Sequence, residues 1–130
     1  MTGVAVGLRA ELTRKVGRAD TALSVGSGDL EVLATPRLLA WAEAATCAAM
    51  ADVLDPQQTT VGTRVAFEHL KGSPVHQQVK VIAQLVHVDG RLLRFDITAQ
   101  NDDGTVLAHG ELTRVVVGRD RFLQRLTGSG

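Results

Sequence analysis

Apolar and polar residues alternate near the start of the chain, where Val6, Leu8, Ala10 and Leu12 interleave with Arg9, Glu11 and Thr13. A period of two sends successive side chains to opposite faces, so this stretch predicts a half-buried strand within residues 1–20. From Thr21 to Leu33 the pattern is irregular, and Gly26-Ser27-Gly28-Asp29 predicts a turn. At Thr35 the period changes: Leu38, Trp41, Ala42, Ala45, Ala48, Ala49 and Val53 recur at three- and four-residue spacing. That spacing predicts a helix over Thr35–Leu54. Thr35 is a candidate N-cap, Pro36 suits a first helical position, and Asp55-Pro56 ends the run. Alanine fills the remaining turns, giving a thin helix that can lie close against a sheet.

The period then returns to two. Thr59–His69 carries Val61, Thr63, Val65, Phe67 and His69 on one side. Lys71-Gly72-Ser73-Pro74 is a turn, and Val75–Val88 alternates through Val79, Val81, Ala83, Leu85 and His87. Asp89-Gly90 is a hairpin signal before Leu92–Ala99, and Asn101-Asp102-Asp103-Gly104 is a second before Thr105–Val117. The charged tail, residues 118–130, reads as a short helix or a frayed end. These connections are too short for crossover helices, so the strands are expected to be antiparallel. The expected class is α+β with the shape of the hotdog fold, an antiparallel β-sheet wrapped around one long central helix. No repeat or linker interrupts residues 1–130, which reads as a single domain. The open sheet edge predicts a homodimer or a dimer of dimers.

Composition narrows the chemistry. The chain has 130 residues, 45% apolar, enough for one core. Its 14 basic and 14 acidic residues cancel, so no basic field gathers counterions from a phosphate backbone, and nucleic acid is not an expected partner. Aromatic residues are 3% and tyrosine is absent, which removes stacking platforms. The single cysteine, Cys47, excludes an internal disulfide and a cysteine zinc cluster, and reads as a small buried apolar residue. His76, His87 and His109 lack close ligand spacing, so no metal is expected. No apolar run is long enough to cross a membrane, and MTGVAVGLRAELTRK is unlike a secretory signal. The expected location is cytoplasmic.

Three polar residues stand where packing alone does not require them: Thr35 at the helix mouth, Glu43 inside the Ala-rich helix, and His69 at the end of the next strand. Singly, each has an ordinary role: an N-cap, a solvated helix carboxylate and a surface imidazole. Together they supply a carboxylate, a neutral-pH acid/base and the free N–H groups of a helix terminus, which are the parts of an acyl-transfer site.

The segment Val32-Leu33-Ala34-Thr35, with Glu43 eight residues on, then Val61-Gly62-Thr63 and His69, resembles the hotdog thioesterases related to fluoroacetyl-CoA thioesterase. The last strand, Gly110 to Val117, resembles that family's closing strand, and the likeness covers about residues 30–122. The resemblance implies an acyl-CoA thioesterase in which Thr35, Glu43 and His69 form the catalytic set and Gly62-Thr63 line the acyl pocket. Arg64, Lys71 and Arg114 are candidates for coenzyme A phosphates. No cofactor is implied beyond the coenzyme A of the substrate. Two differences stand out. Gly28-Asp29-Leu30-Glu31 has no aromatic where the fluoroacetyl-specific member has a gating phenylalanine. Pro36 replaces the glycine after the family's threonine, so its backbone cannot donate to an oxyanion. Eight helical residues rise about 12 Å, too far for Thr35 and Glu43 to touch on one straight helix, so either the helix begins after Thr35 or groups from two subunits meet; the resemblance implies a site shared at the dimer interface. The alternative reading is a non-catalytic hotdog module that binds acyl-CoA or another apolar ligand; a hydratase-type hotdog enzyme is a third.

Overall fold

The computed structural model describes residues 3–128. Five antiparallel strands form one sheet: β1 (Arg9–Lys15), β2 (Gln58–His69), β3 (Gln78–Asp89), β4 (Leu92–Asn101) and β5 (Val106–Gly118). A four-residue helix, α1 (Ala22–Val25), precedes the long helix α2 (Thr35–Met50), and α3 (Arg119–Thr127) closes the described chain. α2 packs against β1, β2, β3 and β4, so the sheet wraps one central helix as the periodicity predicts.

The strand order is β1-β3-β4-β5-β2. β3-β4 and β4-β5 are the two hairpins read from the sequence. β2 does not pair with β3, although only a short segment joins them; it lies beside β5 at the far edge. The linking residues cross the sheet instead of turning back, held by the Val32–Pro74 bridge and by the Leu33 N–H donating to the Ser73 carbonyl at 2.8 Å. One side of β2 is therefore a free edge.

The core joins α2 (Leu38, Trp41, Ala42, Ala45, Ala49, Met50) to the inward positions of β3 (Val79, Val81, Ala83, Leu85) and β4 (Leu93, Phe95, Ile97, Ala99). Three details of the helix differ from the sequence expectation. The N-cap is Ala34, so Thr35 is the first helical residue. The helix ends at Met50. Ala48 and Cys47 are exposed, whereas Thr46 is buried and its hydroxyl donates to the Glu43 carbonyl at 2.6 Å. A thin all-alanine surface gives the period little power to choose which alanines face inward. The tail is helical, as α3.

β2 also breaks its expected pattern. Gly62 pairs with Arg114, but Arg64 pairs with the next residue, Thr113, so Thr63 is an extra residue in a β-bulge. The side that faces α2 therefore carries Gly62 before the bulge and Val65, Phe67 and His69 after it, opposite Leu112, Gly110 and Ala108. Val61 and Thr63 do not share that side, which corrects the simple alternation.

Candidate active site

Two polar clusters flank α2. The first surrounds Glu43. Its Oε2 accepts a hydrogen bond from Arg114 at 3.0 Å, with the Glu43 side chain 41% exposed and the Arg114 side chain 9%. The rest of the guanidinium is fixed from below: Nε donates to Thr60 Oγ1 at 2.8 Å and a terminal nitrogen donates to the Thr60 carbonyl at 2.9 Å. A buried guanidinium satisfied on several sides is a rigid clamp, because its planar fork leaves little rotamer freedom. Gly62 supplies the room. A Cβ built there would lie 2.9 Å from Glu43 Oε2 and 3.4 Å from the Arg114 guanidinium. The carboxylate thus sits in a notch left by a missing side chain, with its other edge toward solvent.

The second cluster lies at the N-terminus of α2. Thr35 Oγ1 and His69 Nδ1 are 2.8 Å apart in a hydrogen bond. As the first helical residue, Thr35 turns its hydroxyl to the imidazole instead of capping the helix. His69 Nε2 is shielded and has no hydrogen-bond partner among the described residues. Burial lowers the His69 pKa below its ordinary value, only partly offset by the Lys71 backbone. The imidazole is therefore neutral near pH 7, with Nδ1 held by Thr35 and Nε2 shielded from solvent. A pocket of about 240 Å³ adjoins this pair, lined in part by Val32, Leu33, Thr35, His69, Leu70 and Gly72.

Within one chain these clusters stay apart. Glu43 stands about 12 Å along α2 from Thr35, and Gly62 roughly 20 Å along β2 from His69. What unites them is the face. His69 follows Gly62 by seven positions, an odd offset that would put them on opposite sides of a regular strand. The Thr63 bulge restores them to the same side.

The other candidates fall as follows. Thr63 Oγ1 reaches the Thr113 carbonyl at 3.4 Å. Arg64 is exposed on the opposite side of β2, near the free edge. Arg114, expected to face coenzyme A phosphates, is instead committed to Thr60 and Glu43. Thr60 was missed from the sequence; its two-residue offset from Gly62 was the only available signal. Among the described residues, no group of three His, Cys, Asp or Glu side chains could hold a metal ion. No helix among them is long and apolar enough to cross a membrane.

Comparison with known proteins identifies the family and the fold. Residues 16–120 match the family model described as FlK, fluoroacetyl-CoA-specific thioesterase. The fluoroacetyl-CoA thioesterase of Streptantibioticus cattleyicolor is 32% identical over 92 residues, an alignment covering 71% of this chain and 66% of that relative. A solved structure of the fluoroacetyl-CoA thioesterase superposes with a TM-score of 0.90 at 25% identity, covering 98% of each chain. A point mutant of that enzyme in complex with fluoroacetate and CoA gives 0.85 at 27% identity, covering 92% of this chain and 99% of that one. A thioesterase-superfamily protein of Thermus thermophilus shares the fold, with a TM-score of 0.88 at 20% identity over 98% of this chain and 96% of its own. Fold and comparisons together define a hotdog-fold thioesterase. Within that class, the chain belongs to the fluoroacetyl-CoA-specific thioesterase family.

Proposed function

We propose that the protein hydrolyses a small or medium acyl-CoA thioester at a site shared by two subunits, with Glu43, His69 and Thr35 as its catalytic set. The observation that carries this reading is the Glu43 carboxylate, clamped by buried Arg114 in the Gly62 notch with one edge open. A carboxylate so held can attack the thioester carbonyl or take the proton of an attacking water. The proton of the hydrolytic water reaches the departing thiolate by way of His69 Nε2, so the imidazole is neutral before and after the transfer, and Thr35 fixes the ring through Nδ1. The products are a carboxylic acid and free coenzyme A. No cofactor is needed beyond the coenzyme A that the substrate carries. Reaction between free acyl-CoA and an enzyme with an exposed, unpaired Cys47 suits the reducing cytoplasm.

The edge of β2 supports the sharing of the site. Its free edge needs a partner, and a second copy can pair with it antiparallel about a two-fold axis at Ala66. Val65 then faces the partner subunit's Phe67, and Arg64 faces the partner subunit's Glu68 with opposite charge. With Thr63 bulged out, Gly62 falls opposite the partner subunit's His69, on the same face. That pairing would close the gap between the two clusters.

The test is thiol release from a panel of acyl-CoA thioesters by wild type, Glu43→Gln and His69→Gln. A drop in kcat/KM of about a hundredfold or more in each variant, with unchanged circular dichroism, is expected. Hydroxylamine trapping of an acyl-enzyme anhydride separates direct attack from base catalysis. Acyl-CoA binding without turnover across the panel would instead make the protein a non-catalytic binding module.

A further inference from the structure

Thr60 takes no part in the hydrolysis step, yet it is a buried polar side chain, only 7% exposed. On β2 it lies two positions before Gly62 and pairs with Val116, on the side that faces α2. Valine has nearly the same shape and would fill that place without a hydroxyl to satisfy. Both Thr60 oxygens are instead spent on Arg114: Oγ1 accepts from Nε at 2.8 Å, and the carbonyl accepts from Nη2 at 2.9 Å. In a guanidinium, Nε–H and the neighbouring Nη2–H are parallel and form an edge that can grip a carboxylate by both oxygens. Here that edge holds a neutral hydroxyl and a carbonyl. Glu43 receives only Nη1, at the other end of the fork, through Oε2 at 3.0 Å. Its Oε1 has no hydrogen-bond partner among the described residues, and the Glu43 side chain is 41% exposed.

We propose that Thr60 is a positioning residue: it occupies the carboxylate-gripping edge of Arg114, so that Glu43 is held by one oxygen and keeps the other free to react. The assignment rests on the hydrolase reading above and adds a requirement to it. Two demands on Arg114 conflict. A cation beside Glu43 fixes the carboxylate in the Gly62 notch. The same cation, gripping both oxygens, would occupy the lone pairs that attack a carbonyl or take a proton from water. Thr60 resolves the conflict by giving the fork two acceptors of its own. A carboxylate binds a guanidinium more strongly than neutral oxygens do, so the arrangement holds only while both Thr60 oxygens are in place. Removing Oγ1 leaves the Nε–H buried and unpaired, which costs free energy. Turning the fork onto Glu43 satisfies that donor with a charged acceptor, and the free oxygen is lost. If Thr60 only filled space, valine would serve as well.

Kinetics and nuclear magnetic resonance test the proposal on Thr60→Val, Thr60→Ala and Thr60→Ser, with Thr98→Val on the outward side of β4 as control. Circular dichroism checks that each variant folds. In Thr60→Val and Thr60→Ala, kcat should fall about tenfold or more while KM for acyl-CoA stays within about threefold of wild type, because the loss falls on the reacting carboxylate and not on binding. Thr60→Ser, which keeps Oγ1, and Thr98→Val should stay within about threefold of wild-type kcat. The Arg114 Nε–H resonance, identified by its absence in Arg114→Met, reports the fork directly. It should move downfield in Thr60→Val and Thr60→Ala, where a charged acceptor replaces a hydroxyl, and stay in place in Thr60→Ser. Adding Glu43→Gln to Thr60→Val should abolish that movement. Wild-type kcat in Thr60→Val, or a resonance that does not move, overturns the proposal, as does a Thr60→Ser variant as slow as Thr60→Val. If wild type hydrolyses no acyl-CoA yet the resonance moves as expected, the hold of Thr60 on Arg114 stands and the hydrolase reading falls. If wild type is active and Thr60→Val equally so, the hydrolase reading stands and the role of Thr60 falls.

Discussion

At the scale of single residues, the site depends on what Gly62 lacks and what Arg114 holds. In Gly62→Ala the new methyl would meet Glu43 Oε2 at 2.9 Å, the far end of a side chain that can move. The expected outcome is a stability change below about 1 kcal/mol by chemical denaturation. The kcat should fall by tenfold or more, because a displacement of about 1 Å can cost up to a hundredfold. Arg114→Met removes the donors to Thr60 and Glu43 while keeping much of the volume. A loss of roughly 2 kcal/mol is expected, since the Thr60 oxygens would stay buried without a partner. His69 gives a pH prediction. Its native pKa lies below the ordinary 6.5 that applies in the unfolded chain. Between those two values the unfolded state binds more protons, so stability falls as pH drops below about 6.5 and levels off beneath the native pKa. Thermal melts of His69→Gln should lack that part of the decline, while wild type stays catalytically competent below pH 6.5.

At the scale of elements, the bulge in β2 is the feature on which the arrangement turns. Deleting Thr63 leaves Gly62 and His69 six positions apart on a regular strand, so both should stay on the side that faces α2. The expected result is thioesterase activity within about tenfold of wild type with near-native helix content by far-ultraviolet circular dichroism; a loss of about a hundredfold would show that Thr63 itself, and not only the shared face, is required. The sequence showed the strand but not the bulge, because Val61 and Thr63 continue the alternation and nothing local marks Thr63 as extra. The central helix was legible from its spacing and from Asp55-Pro56. Its exposed face was not, because Ala45 and Ala48 carry the same side chain, and only the neighbouring sheet distinguishes them. The hairpins at Asp89-Gly90 and Asn101–Gly104 were legible because each turn sets its own pairing.

At the scale of the whole molecule, the free edge of β2 and the two separated clusters make one prediction. If the partner copy pairs about Ala66, Arg64 of one subunit meets Glu68 of the other. Arg64→Glu should then shift the protein toward monomer in analytical ultracentrifugation and lower activity with it. Adding Glu68→Arg should restore both, since the pair is only reversed. Dimer stability indifferent to both changes would rule out that register. It would leave Glu43 and His69 without a common substrate, since they stand apart in each chain.

Local patterns in the sequence settled the elements, the antiparallel hairpins and the identity of Thr35, Glu43 and His69 as the polar residues to watch. Those features depend on neighbours a few positions away, where periodicity, turn chemistry and helix signals act. Tertiary structure alone decided that β2 lies beside β5, that Thr63 bulges, and that Arg114 clamps Glu43 in the Gly62 notch. Each of these joins residues far apart in the chain, and contacts of that kind are fixed by how the whole sheet closes over its helix.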